Sequence, residues 1–99
     1  MQERLTEFIR DLRLRELKES TLKKYQADIE QFIETSQIGR PGDLDKDHLI
    51  RYKDHLISNF KTASVNNKIT IINKFLDHLG FSDLRLKQVK QQKKNKKKF

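Results

Sequence analysis

Ninety-nine residues carry a formal net charge of +8, with 34 % apolar and 36 % charged side chains. That length suits one domain with a modest core, and the absence of cysteine excludes disulfides and thiolate zinc sites and fits a reducing cytoplasm, where the protein is expected. No apolar run approaches the roughly 18 residues of a membrane span and no signal-peptide core is present, so no membrane partner is expected.

The spacing predicts a first helix over about residues 2 to 17, with Leu5, Phe8, Ile9 and Leu12 on one face at i, i+3, i+4 and i+7. A second helix is expected after Ser20, taken as its N-cap, and runs to about Ser36 with Leu22, Tyr25, Ile29, Phe32 and Ile33 inward. Residues 38 to 43, IGRPGD, then break the chain. Asp45 is placed to cap a third helix, and Leu44 and Leu49 have the spacing of a hydrophobic staple. Its inner face is Leu49, Tyr52 and Leu56. A fourth helix is predicted over about 63 to 79, with Val65, Ile69, Ile72, Leu76 and Leu79 as its stripe and Gly80 at its C′ position. Beyond Phe81 the pattern fades into a segment too charged to pack.

The charge is unevenly placed. Residues 1 to 84 hold fourteen Lys/Arg and fourteen Asp/Glu, which cancel, whereas 85 to 99 hold Arg85 and seven lysines without an acid. Binding of a polyanion by the folded part must therefore come from how its charges are distributed.

Nothing in the chain suggests catalysis or a cofactor. His48 and His55 are seven residues apart on one helix, about 10 Å along its axis, too far to share an ion unaided. Asp43, Asp45 and Asp47 gather at a helix start, where the dipole favours negative charge. Tyr25 and Tyr52 both sit on apolar faces, where core packing explains them.

The outer faces of the second and fourth helices are more informative. The second opens with Thr21, Lys23, Lys24 and Ala27 off its core face, its acids lying further along. The fourth presents Ser64, Asn67, Lys68, Ile71 and Lys74, with Asn66 and Thr70 adjacent and no acid before Asp77. Short amides and hydroxyls among lysines suit a surface that reads base edges and grips phosphates, and an outward isoleucine could meet a thymine methyl. The same pattern also suits an ordinary solvated face.

The stretch STLKKYQADIEQFIE (20 to 34) resembles a recurring pattern of the tyrosine recombinases, the phage-integrase family, through Ser20, Thr21, Leu22, Tyr25, Asp28, Ile29 and Phe32. DLDKDHLIRYKDHL (43 to 56) and TASVNNKITIINKFLDHLG (62 to 80) resemble that family's third and fourth helices, in the same order, so the likeness covers roughly 3 to 81. It implies an all-α, four-helix SAM-like core-binding domain over 1 to 84, encoded by a phage or mobile element. It also implies a basic, flexible interdomain linker over 85 to 99, with Lys87, Lys90, Lys93, Lys94, Lys96, Lys97 and Lys98. Phe99 is then a point where a longer protein has been cut, and the catalytic residues belong to a following domain.

The implied partner is double-stranded DNA at a recombination core site, clamped for strand exchange. On the second helix the resemblance assigns the contacts to Thr21, Lys23, Lys24 and Ala27. On the fourth it assigns them to Ser64, Asn67, Lys68, Ile71 and Lys74, with Asn66 beside them. Other protomers of the recombinase would join on DNA, while the isolated chain is expected to be monomeric. The first helix is a candidate for contact with an adjacent protomer, although its polar face (Arg4, Glu7, Arg10, Asp11) suits solvent equally well and is expected to be solvated. A second reading stays open: a helical protein–protein interaction module whose basic tail attracts polyanions without specificity.

Overall fold

The computed structural model describes residues 1–89. Four α-helices follow in order, α1 Gln2–Leu14, α2 Glu19–Ser36, α3 Lys46–Asn59 and α4 Thr62–Leu79, with 3-10 turns at Pro41–Asp43 and Ser82–Leu84. No strand occurs among the described residues, so the all-α expectation holds.

Helix ends follow local chemistry, with two departures from expectation. α1 stops at Leu14 instead of reaching 17, because its buried face ends at Leu12 and Glu16 turns the chain in a left-handed conformation (φ 62°). Leu14 is left 76 % exposed. Ser20 is not the cap of α2; the extended residue at its start is Lys18, without a side-chain cap, and Ser20 lies in the first turn. Asp45 does cap α3, its carboxylate accepting the His48 amide at 2.9 Å, and Leu44 and Leu49 are both buried as a staple requires. That amide bond, followed by one to the His48 ring, lowers the Asp45 carboxyl below its ordinary value.

α2 and α4 terminate alike. Past α2, Gln37 is left-handed (φ 55°), its amide reaching the Glu34 carbonyl while the Ile38 amide reaches that of Ile33. Past α4, Gly80 (φ 86°) bonds to Asp77 and Phe81 to Leu76. Both are Schellman closures with an apolar residue folding back, and glycine removes the steric cost only in the second.

Two apolar clusters make the core. One joins Phe32 and Ile38 to Leu49, Tyr52 and Leu56 of α3 and to Val65, Ile69, Ile72 and Leu76 of α4. The other joins Leu5, Phe8, Ile9 and Leu12 of α1 to Leu22, Ile29, Ile71 and Phe75. The Phe32 ring lies 4.9 Å from that of Tyr52, and Phe8 lies 5.4 Å from Phe75. α4 serves both clusters with six buried apolar side chains, each stabilising by roughly 1.5–3 kcal/mol. Two-sided packing explains a correction: Ile71 is not an outward residue but 3 % exposed, packed toward α1 and α2.

The chain also stays docked past Leu84. Residues 85–89 follow without regular secondary structure, and Leu86 and Val89 pack against the α3–α4 cluster. The flexible tail expected from Arg85 onward is therefore folded structure for its first five residues. Lys90, Lys93, Lys94, Lys96, Lys97 and Lys98 lie outside the described residues.

Candidate nucleic-acid interface

The seam between α2 and α4 is organised by Asp28. Its Oδ1 accepts Lys68 Nζ at 2.9 Å, and Lys24 Nζ lies 3.8 Å from Oδ2, which has no hydrogen-bond partner among the described residues. Lys68 Nζ also stands 4.7 Å over the Phe60 ring. Further along, Lys74 donates to the Tyr25 hydroxyl at 3.1 Å and lies over that ring at 5.4 Å. Tyr25 thus meets Lys74 while Asp28 meets Lys68, so the two helices pass in opposite senses.

This order decides which candidates are brought together. Lys24 and Lys68 converge on one carboxylate. Ser64 and Asn67 lie beyond the Lys68 end of the seam and Thr21 toward the Lys74 end. From Ser64 to Lys74 the face extends about 15 Å along α4, an elongated strip instead of a compact patch. Lys23 stands about 100° around α2 from Lys24 and lies off the seam.

Exposure separates the candidates further. Lys23, Lys24, Ala27, Ser64, Asn67 and Lys74 are exposed, and Thr21 is half-buried. Lys68 is largely covered, its side chain 18 % exposed, so it does not point freely away from the apolar stripes. Ile71 is inside and offers nothing to a ligand. Asp28, whose side chain is only 9 % exposed, lies beneath the two lysines, so the strip shows ammonium groups outward and hides its one central acid.

Asn66 has a different task from the expected one. Its side chain donates to the Val89 carbonyl at 3.0 Å and accepts the Val89 amide at 2.7 Å. Seven residues on, buried Asn73 does the same to Leu86, at 2.9 and 2.8 Å. Gln88 bonds to the Thr70 hydroxyl and Lys53 to the Lys87 carbonyl, both from exposed positions. Asn66 is therefore engaged along its amide edge by this chain and is not a free reader of bases.

A family profile described as "Phage integrase, N-terminal SAM-like domain" matches residues 5–92. The chain belongs to that family. Comparisons with curated proteins and with solved structures returned no significant match. The match reaches past Leu84, so the docked segment of this integrase SAM-like domain falls within the family's own extent. No helix among the described residues is long and apolar enough to cross a membrane, and no three His, Cys, Asp or Glu side chains gather there as a metal site.

Sequence reasoning about this SAM-like domain missed Asp28 as the centre of the seam, and it missed Asn73 altogether. One signal for Asn73 was present. An amide set between the apolar residues Ile72 and Phe75, seven residues from a second amide at Asn66, requires a polar partner once that face is buried.

Proposed function

We propose that this domain binds duplex DNA at the core site of an integrase-type recombinase and helps hold the duplex while a catalytic domain of the parent protein exchanges strands. Further protomers of the same recombinase would share the site. The observation that carries this reading is the hidden acid: with Asp28 buried under Lys24 and Lys68, the α2–α4 strip turns cations, hydroxyls and a free amide toward solvent. Such a surface suits phosphates, with Asn67 available to read a base edge. The contacts assigned are Thr21, Lys23, Lys24 and Ala27 from α2, and Ser64, Asn67 and Lys74 from α4. Lys68 contributes through the seam.

The test is a titration of the full chain with the core-site duplex at low salt, followed by amide chemical shifts. Perturbations are expected along Thr21–Ala27 and Ser64–Lys74, weakened by Lys23→Gln with Lys24→Gln, neither of which removes the Lys68–Asp28 pair. Perturbations confined to residues 85–99, unaffected by those substitutions, would overturn the reading in favour of an interaction module with a polyanion-binding tail.

A further inference from the structure

Asp28 meets its two lysines unequally. Oδ1 takes a hydrogen bond from Lys68 at 2.9 Å, and the Lys68 side chain, also 4.7 Å above the Phe60 ring, is only 18 % exposed. Lys24 stands 3.8 Å from Oδ2, too far for a hydrogen bond, and its side chain is 57 % exposed. Oδ2 is itself shut off from water and accepts no hydrogen bond among the described residues. One ammonium is therefore locked, and the other is held loosely by charge alone. Two cations and one anion leave the middle of the strip a single positive charge. An ammonium makes the same kind of charge-assisted bond to a carboxylate oxygen as to a phosphate oxygen, so Asp28 occupies the place a phosphate would take.

We infer that Asp28 is an internal competitor for phosphate, a positioning residue that holds Lys68 back from the duplex and weakens the pull of Lys24 on it. The inference rests on the DNA-binding reading above and gives that strip a built-in limit on sequence-independent affinity. Lys24 can exchange Oδ2 for a phosphate oxygen readily, because it gives up no hydrogen bond. Lys68 cannot, since its leaving would strand a covered carboxylate. Phosphate contacts carry no sequence information, whereas amides and hydroxyls at base edges do. By tempering the first, Asp28 leaves a larger share of the binding to Ser64 and Asn67, both exposed at that end of the strip. Its role is to set specificity without touching DNA.

The experiment compares Asp28→Asn with the parent in the full chain, by fluorescence anisotropy on a short duplex of arbitrary sequence over a salt series. Melting curves verify folding. Asparagine keeps the shape of the carboxylate and can still accept from Lys68, but it lacks the charge. Asp28→Asn is expected to tighten binding about three- to tenfold at low salt and to steepen the salt slope by up to about 0.9, one more phosphate neutralised. Asp54→Asn, which removes an exposed acid of α3, is the control for net charge and should change affinity less than about twofold. Lys24→Gln should cost more affinity in the Asp28→Asn background than in the parent, because only there is its charge fully offered.

Should Asp28→Asn melt below the assay temperature, two exposed substitutions take its place. Lys24→Gln should flatten the parent's salt slope less than Lys74→Gln does, because Lys74 meets a neutral phenol instead of an acid. Equal or greater flattening by Lys24→Gln overturns the inference, as does Asp28→Asn binding that is unchanged or weaker in a folded chain. A gain matched by Asp54→Asn would show net charge alone at work and overturns it too. In each of those cases the parent still binds duplex, so the DNA reading stands. Absence of duplex binding by both the parent and Asp28→Asn overturns that reading, and the restraint with it.

Discussion

Lys68 and Asp28 form an ion pair at 2.9 Å in which both side chains are largely covered, the only such pair among the described residues. Covered pairs respond asymmetrically to substitution, because the partner left behind stays cut off from water; without Lys68, Asp28 would keep only Lys24, 3.8 Å from its Oδ2. Lys68→Ala is expected to destabilise the domain by about 2–4 kcal/mol in urea melts. Asp28→Asn, which leaves a more exposed lysine behind, should cost less. A loss under about 1 kcal/mol for Lys68→Ala would place that pair with ordinary surface pairs.

Ile71→Ala tests the two-sided packing of α4. Buried between α1 and α2, the side chain should cost about 2–5 kcal/mol on truncation. Phe32→Ala should cost about 3–5 kcal/mol for a ring with no exposed surface. An exposed isoleucine would give a change within about 0.5 kcal/mol, so the Ile71 melt alone separates the surface expectation from the packing observed.

Truncation after Leu84 should destabilise the domain, whereas truncation after Val89 should not. The first removes the apolar contacts of Leu86 and Val89 and strands the Asn73 amide at a buried site. Restoring only the fold's share of this loss, Asn73→Ala should cost about 1–3 kcal/mol, the range for leaving buried backbone groups unpaired. Equal melting of the two truncated chains would show that residues 85–89 add nothing.

Tyr52 is held in its neutral form by the fold. Burial, and next the negative charge of Asp28, push its phenol up to about 12 from 10.0. The folded state thus favours the neutral phenol, and that stabilisation is full below pH 10 and lost as pH rises toward about 12. Tyr52→Phe removes the ionisable group, so its melting temperature should fall less than the parent's between pH 9 and 12. Parallel declines would mean that Tyr52 does not titrate in that window.

What the sequence determined by itself was everything that periodicity and short-range chemistry control. Leu5, Phe8, Ile9 and Leu12, or Leu49, Tyr52 and Leu56, recur at helical spacing and are buried as that spacing requires. Asp45 and Gly80 act within one turn of their own positions, so cap and closure were legible too. Only the tertiary structure decided which sides of α4 are covered. A helix with one apolar stripe has one inner face, but α4 touches α1 and α2 through Ile71 and Phe75, α3 through Ile72, and residues 85–89 through Asn66 and Asn73. Position along a single helix cannot reveal that second and third neighbour. For the same reason Lys68 looked free in the sequence and is held in the fold: its partner, Asp28, lies forty residues away, and only packing α2 against α4 brings the two charges within reach.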